Sequence, residues 1–240
     1  MTDQLTKKPR ARAMRSTVAL KAAMAISGLI MVLYLILHMY GNLRAFWGKS
    51  AFDDYASHLR TFGEPTLPYR GLLYIVEVVL AVAVLVHIYS AIVLTRRDHA
   101  ALGKVDGKRY QTTQNKRGVQ RSYASFTLRW GGVVIVLFVI YHLLHLSADN
   151  VIHPGGASDS PYVRLVNGFQ IWWVMLSYLI AMIAIGFHLR HGLWSAFATL
   201  GINNSVKRRR RLNQAAIVVS LVITIGFLLP PLSIFFGWIS

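Results

Sequence analysis

Six histidines lie within otherwise apolar stretches of this sequence: His38, His87, His142, His145, His188 and His191. An ionisable side chain in an apolar medium is unfavourable by several kcal/mol unless it finds a partner. Neutral imidazole offers four kinds of partnership. It ligates haem iron, binds a metal ion in transit, relays protons, or hydrogen-bonds between helices. The chain contains no cysteine. Disulfides, thiolate zinc sites and an iron–sulfur cluster held by this chain's own thiolates are therefore excluded, while histidine-held haem is not.

The elements that must carry these histidines follow from composition. Of 240 residues, 55% are hydrophobic and 15% charged, against about 25% charged in a soluble domain. The apolar residues come in long runs rather than in alternation, which is the signature of a membrane protein. About 20 apolar residues at 1.5 Å each span the hydrocarbon core. Five stretches qualify: 23–46, 71–95, 130–148, 171–197 and 215–236. The expected fold is an all-α membrane protein, a single five-transmembrane-helix bundle over residues 21–240 preceded by a basic tail, 1–20. The first apolar stretch is too long for the apolar core of a signal peptide and reads as a retained helix.

Charge sets the orientation. Net charge is +17, from 26 Lys and Arg against nine Asp and Glu. Lys7, Lys8, Arg10, Arg12, Arg15 and Lys21 flank the first helix. Nine more basic residues lie between Arg96 and Arg129, and Arg190, Lys207 and the run Arg208–Arg211 lie between the fourth and fifth helices. Those 21 fall on one side, and only Arg44, Lys49, Arg60, Arg70 and Arg164 fall on the other. The positive-inside rule makes the first side cytoplasmic, with the N-terminus inside and the C-terminus outside. The basic face is accounted for by topology and anionic lipid, and no nucleic-acid-binding motif accompanies it.

With this orientation the histidines sort by depth. His38 lies 17 residues past Lys21, about 25 Å along an outward-running helix, hence in the outer half. His87 lies nine residues before Arg96, about 13 Å from the cytoplasmic end of an inward-running helix. His142 and His145 fall near the outer end of the third helix, and His188 and His191 near the inner end of the fourth. Two levels, each supplied by two helices, is what two bis-histidine haems in a helix bundle require. Metal transport, a cofactor-free proton relay and purely structural hydrogen bonding are the competing accounts.

Several segments resemble one family. They are Ser27-Gly28 through Leu37-His38-Met39, the run Phe52-Asp53-Asp54-Tyr55-Ala56-Ser57-His58-Leu59, and Tyr141-His142-Leu143. The most specific is Phe187-His188-Leu189-Arg190-His191-Gly192-Leu193-Trp194-Ser195, followed by Thr199-Leu200-Gly201. Together they are similar to the dihaem cytochrome b membrane-anchor subunit of succinate:menaquinone oxidoreductase and fumarate reductase, respiratory complex II. The resemblance implies that His87 and His188 are the axial ligands of a proximal haem b near the cytoplasm. It implies that His38 and His142 hold a distal haem b. Depth alone slightly favours His145 over His142 and His191 over His188. The three-residue difference is about 4.5 Å along a helix, within reach of helix tilt. The remaining His145 and His191, with Arg44 and Arg190, are then candidate contacts to haem propionates or quinone.

The resemblance further implies a succinate dehydrogenase anchor in the cell inner (cytoplasmic) membrane. It would receive electrons from a partner iron–sulfur subunit and pass them through two haems b to menaquinone. A flavoprotein subunit and the iron–sulfur subunit would dock on its cytoplasmic face and hold the FAD and iron–sulfur clusters. The whole complex would admit a higher oligomer. Alternatives are a cytochrome b anchor of another quinone-linked dehydrogenase, a haem-free His-lined anchor, or a metal transporter. Glu77 is the only acid well inside an apolar stretch, near the outer end of the second helix. It is a candidate for proton transfer at an outer quinone site, or else it snorkels to the interface. Tyr34, Tyr40, Asn42, Arg44 and Trp47 lie near the same end, where Tyr and Trp also serve as ordinary interface anchors.

Overall fold

The computed structural model describes residues 16–102, 119–146 and 151–240. Most of the basic tail, the centre of the long connection after the second span, and the last two residues of the expected third span lie outside these. The described elements are all helical. They are α1 (Thr17–Leu43), a 3-10 turn (Arg44–Trp47), α2 (Gly48–Thr61), α3 (Gly71–Leu102), α4 (Val119–Leu146), α5 (Pro161–Phe169), α6 (Trp172–Thr199) and α7 (Val206–Phe235).

Serine hydroxyls start three of the helices by satisfying otherwise unpaired amides of the first turn. Ser16 accepts from Ala19 N, Ser160 from Val163 N and Ser205 from Arg208 N. The Lys207–Arg211 run stands in the first turns of α7, where positive charge opposes the helix dipole. Membrane topology, rather than helix propensity, accounts for charge at that position.

Five helical stretches are long and apolar enough to cross a membrane: Thr17–Thr61, Gly71–Asp98, Thr127–Leu146, Trp172–Thr199 and Val206–Phe235. The first joins α1 to α2 and, at 45 residues, would be more than twice the hydrocarbon thickness if it were one span. Gly48, at φ 86°, breaks it. Beyond that break α2 carries Lys49, Asp53, Asp54, His58 and Arg60, so it lies outside the hydrocarbon. The helices run past the apolar stretches at the basic ends, α3 to Leu102 and α4 from Val119, because backbone hydrogen bonding continues after hydrophobicity stops. Large apolar side chains such as Leu33, Val78, Leu85, Leu137 and Val218 are exposed. In a membrane these are the lipid-facing surface.

The central element is α6. It buries Val174, Tyr178, Ala181, Ile185, Leu189, Leu193 and Ala196 along its whole length, at steps of three or four residues, so that one helix face is covered throughout. It packs against α1, α4 and α7, while α1 also packs against α3 and α7. At α6–α7 a Cβ on Gly186 would lie 2.7 Å from Thr224 Oγ1, the close approach that small residues permit between membrane helices.

Two short helices cap the end of the bundle where α1 finishes. Asp53 of α2 accepts from Ser160 Oγ at 2.6 Å, from Tyr162 N at 3.0 Å and from Lys49 Nζ at 2.8 Å. Tyr162 OH donates to the carbonyl of Ser240 at 3.2 Å, bringing the C-terminus to this end. At the other end Arg97 donates to Thr17 Oγ1 at 3.1 Å. Partial burial would raise the Asp53 carboxyl, but hydrogen bonds from Lys49, Ser160 and Tyr162 outweigh it and hold the group below its ordinary value. A depressed folded value contributes stability above the ordinary carboxylate range, lost as pH falls through the folded value. Asp53→Asn is expected to cost about 1 kcal/mol at neutral pH after solvent screening, read as faster hydrogen exchange of the α2 amides. The difference from the parent should close at acid pH, and equal exchange at neutral pH would contradict the assignment.

Candidate functional site

The histidines pair across the bundle. His38 of α1 and His142 of α4 have ring centres 5.7 Å apart, and His87 of α3 and His188 of α6 have ring centres 6.2 Å apart. Neither α1 and α4 nor α3 and α6 are among the closely packed helix pairs. The rings therefore reach across the spaces between non-neighbouring helices. Two imidazoles sharing one metal, each through a ring nitrogen at about 2 Å, place their ring centres about 6 Å apart. Both pairs meet that spacing.

The two pairs occupy different depths. His87 contacts α1 at Met24 and Ser27, whereas His38 lies at least 11 residues further along α1, about 16 Å. On α6, Tyr178 contacts His142, and His188 follows ten residues later, about 15 Å. Both helices thus give similar separations between the levels.

At the level of the His87–His188 pair, His87 Nδ1 lies 3.0 Å from the Met24 carbonyl and 3.4 Å from Ser27 Oγ. A carbonyl only accepts, so Nδ1 carries the proton and Nε2 keeps the lone pair a metal needs. Ser27 can accept as well, because its own hydroxyl donates to the Ala23 carbonyl at 2.8 Å. The Leu128 backbone lies beside the His188 ring, while its buried Nδ1 makes no hydrogen bond of ordinary geometry among the described residues. A Cβ on Gly28 would touch the His87 ring at 3.4 Å, and one on Gly132 would lie 3.7 Å from the His188 ring. Longer side chains at either position would fill the space beside the rings. His191 accepts from Arg190 at 3.5 Å and is not the ring facing His87.

At the level of the other pair, His38 stacks on Tyr34 at 5.3 Å and meets Phe227 at 5.6 Å. His142 lies beside Phe138 and Tyr178. His145 is 2% exposed and hydrogen-bonds through Nδ1 to Tyr178 OH at 3.0 Å. A Cβ on Gly168 would lie 2.7 Å from its Nε2, so α5 closes over this ring. The sequence left His142 and His145 open; in the structure His142 faces His38 while His145 is enclosed by Tyr141, Phe169 and Tyr178.

The remaining candidates gather beyond the His38–His142 pair. Arg44 lies over the rings of Tyr40 and Tyr55, at 5.9 and 5.5 Å, and its buried Nε has no hydrogen-bond partner among the described residues. A cation so placed suits an anionic ligand group. Glu77 is 56% exposed and pairs with Arg70 at 3.5 Å. Asn42 is turned back to the His38 carbonyl at 2.9 Å, and Trp47 is exposed just past the end of α1. Tyr178 was not singled out in the sequence, although a tyrosine about two turns into a long apolar helix signals a hydroxyl that needs a partner.

These donors fit histidine-ligated iron better than a metal in transit. They are neutral imidazoles in opposed pairs, and no cluster of three or more metal-ligating side chains occurs among the described residues. A family profile described as succinate dehydrogenase/fumarate reductase transmembrane subunit matches residues 108–227, half of the chain. That segment contains His142, His145, His188 and His191, whereas His38 and His87 lie before it. Comparison with curated proteins and with solved structures gave no match. On the strength of the profile match, the chain belongs to the succinate dehydrogenase/fumarate reductase transmembrane-subunit family, as a multi-pass membrane protein with five apolar helices.

Proposed function

We propose that this chain is the cytochrome b anchor of a succinate dehydrogenase, passing electrons from a partner iron–sulfur subunit through two haems b to menaquinone. The observation that supports this best is the pairing of four histidines from four helices at two depths, with ring centres 5.7 and 6.2 Å apart. His87 and His188 would hold the inner haem, and His38 and His142 the outer one. Haem b held by two histidines supplies one-electron chemistry between the ferric and ferrous states.

The chain's own residues do the rest. The Met24 carbonyl fixes the His87 tautomer. Tyr34, Phe227 and Phe138 surround the outer rings and keep water from them. Arg44 is the candidate partner of an outer propionate, and Arg190 of an inner one, in each case by offering positive charge to a carboxylate. Glu77 stands at the outer end, solvent-accessible and paired with Arg70. A carboxylate in that position can exchange protons with the outer water as quinone is reduced or quinol oxidised.

The proposed membrane is the cell inner (cytoplasmic) membrane. The chain would sit in it as one transmembrane domain, residues 21–240, with the basic tail 1–20 in the cytoplasm. The 21-to-5 division of basic residues supports placing the Arg96–Arg129 and Arg190–Arg211 face inside. The flavoprotein and iron–sulfur subunits, with FAD and iron–sulfur clusters, would dock there. Lipid and quinone are the other partners.

His188→Ala is expected to abolish one of two b-type absorbance signals while the protein still inserts and assembles; unchanged haem content would remove His188 from the ligand set. Glu77→Gln is expected to slow quinone turnover roughly 10²-fold or more, the usual contribution of a positioned proton donor, with haem content intact. Turnover equal to the parent across pH would leave Glu77 as an interface residue only.

A further inference from the structure

Tyr178 stands between the two histidines that the third span offers. Its hydroxyl lies 3.2 Å from His142 Nδ1 and 3.0 Å from His145 Nδ1. The side chain is 5% exposed, held edge-on by Phe138 at 4.9 Å and Phe169 at 4.7 Å. A phenol has one proton. Among the described residues these two ring nitrogens are the hydroxyl's only hydrogen-bond partners, so it donates to one and accepts from the other. The two histidines are thereby forced into opposite tautomers: one carries its proton on Nδ1 and the other on Nε2.

We infer that Tyr178 is the positioning residue that holds His142, the ring facing His38, in the tautomer an outer ligand needs, with His145 taking the Tyr178 proton. This rests on the proposal that His142 binds iron. The ring that donates from Nδ1 keeps a lone pair on Nε2 and is ready to ligate. The ring that accepts at Nδ1 carries its proton on Nε2 and cannot ligate through that atom. His142 faces His38, so it takes the donating role, and the Tyr178 proton goes to His145 Nδ1. His145 acts as the fixed acceptor, kept in place by Gly168, into whose missing side chain its ring fits. A hydrogen bond accepted from Nδ1–H also makes the imidazole a stronger donor to iron, which favours the ferric state. The inner ligand His87 receives the same support from the Met24 carbonyl, so a change at Tyr178 touches the outer level alone.

The test uses the full complex and three variants: Tyr178→Phe, His145→Leu and His142→Leu. Haem content and the midpoint potential of each haem are read by optical redox titration. Tyr178→Phe keeps the ring packing; it should retain both haems and raise the outer potential alone. A tenfold change in the ferric-to-ferrous ratio is the size expected for a lost supporting hydrogen bond, about 59 mV for one electron. His145→Leu should also retain both haems and raise the same potential by less, which decides the matter if Tyr178→Phe does not assemble. His142→Leu should remove the outer haem. Retention of both haems in His142→Leu would defeat the ligand assignment itself. Loss of one haem there, with unchanged potentials in Tyr178→Phe and His145→Leu, would leave the ligands standing and overturn the role of Tyr178. Loss of the outer haem in His145→Leu would make His145 the ligand and overturn it equally.

Discussion

Everything in this bundle is arranged around imidazole in hydrocarbon. A neutral histidine in a bilayer must spend both ring nitrogens on partners, and a bare apolar helix offers none. The structure answers in the same way at both depths. A ring from one helix meets a ring from another, and one ring of each pair has its Nδ1 held, that of His87 by the Met24 carbonyl and that of His142 by the Tyr178 hydroxyl.

The helix that makes this feasible is α6. It is buried along one face from Val174 to Ala196 and touches α1, α4 and α7. It contributes Tyr178 at one depth and His188 ten residues later at the other. A single rigid rod spacing the two levels fixes their separation better than a loop could, since its rise of about 1.5 Å per residue is set by backbone hydrogen bonds. The His38–His142 level is closed by α2 and α5, tied together through Asp53. The opposite end carries the basic α7 start, with Lys207 and Arg208–Arg211 exposed.

Much of this was legible in the residues because hydrophobicity and charge act over whole segments. Five apolar runs sufficed for five spans, and counting from Lys21 and Arg96 placed His38 and His87 at different depths. Short helices escaped notice: α2 and α5 carry no long apolar run, and α2 lies where the first outer loop was read. Depth counting resolves position to about one helical turn but says nothing of rotation about the helix axis. His142 and His145 are three residues apart, and only side-chain direction separates the ring facing His38 from the ring enclosed by Phe169 and Gly168. Arg190 and His191 likewise form a local pair that spacing alone does not announce. The hydrogen bonds that fix tautomers come from Met24, a residue whose backbone rather than side chain acts, and from Tyr178 on another helix.

The central claim is that the two histidine pairs each hold a haem. The most direct measurement is a pyridine haemochrome assay on the purified complex, together with a dithionite-reduced minus oxidised spectrum. The account predicts two haems b for each copy of this chain, at least partly reduced by succinate. A colourless complex, assembled and active with quinone, would contradict it and return the six histidines to hydrogen bonding and packing.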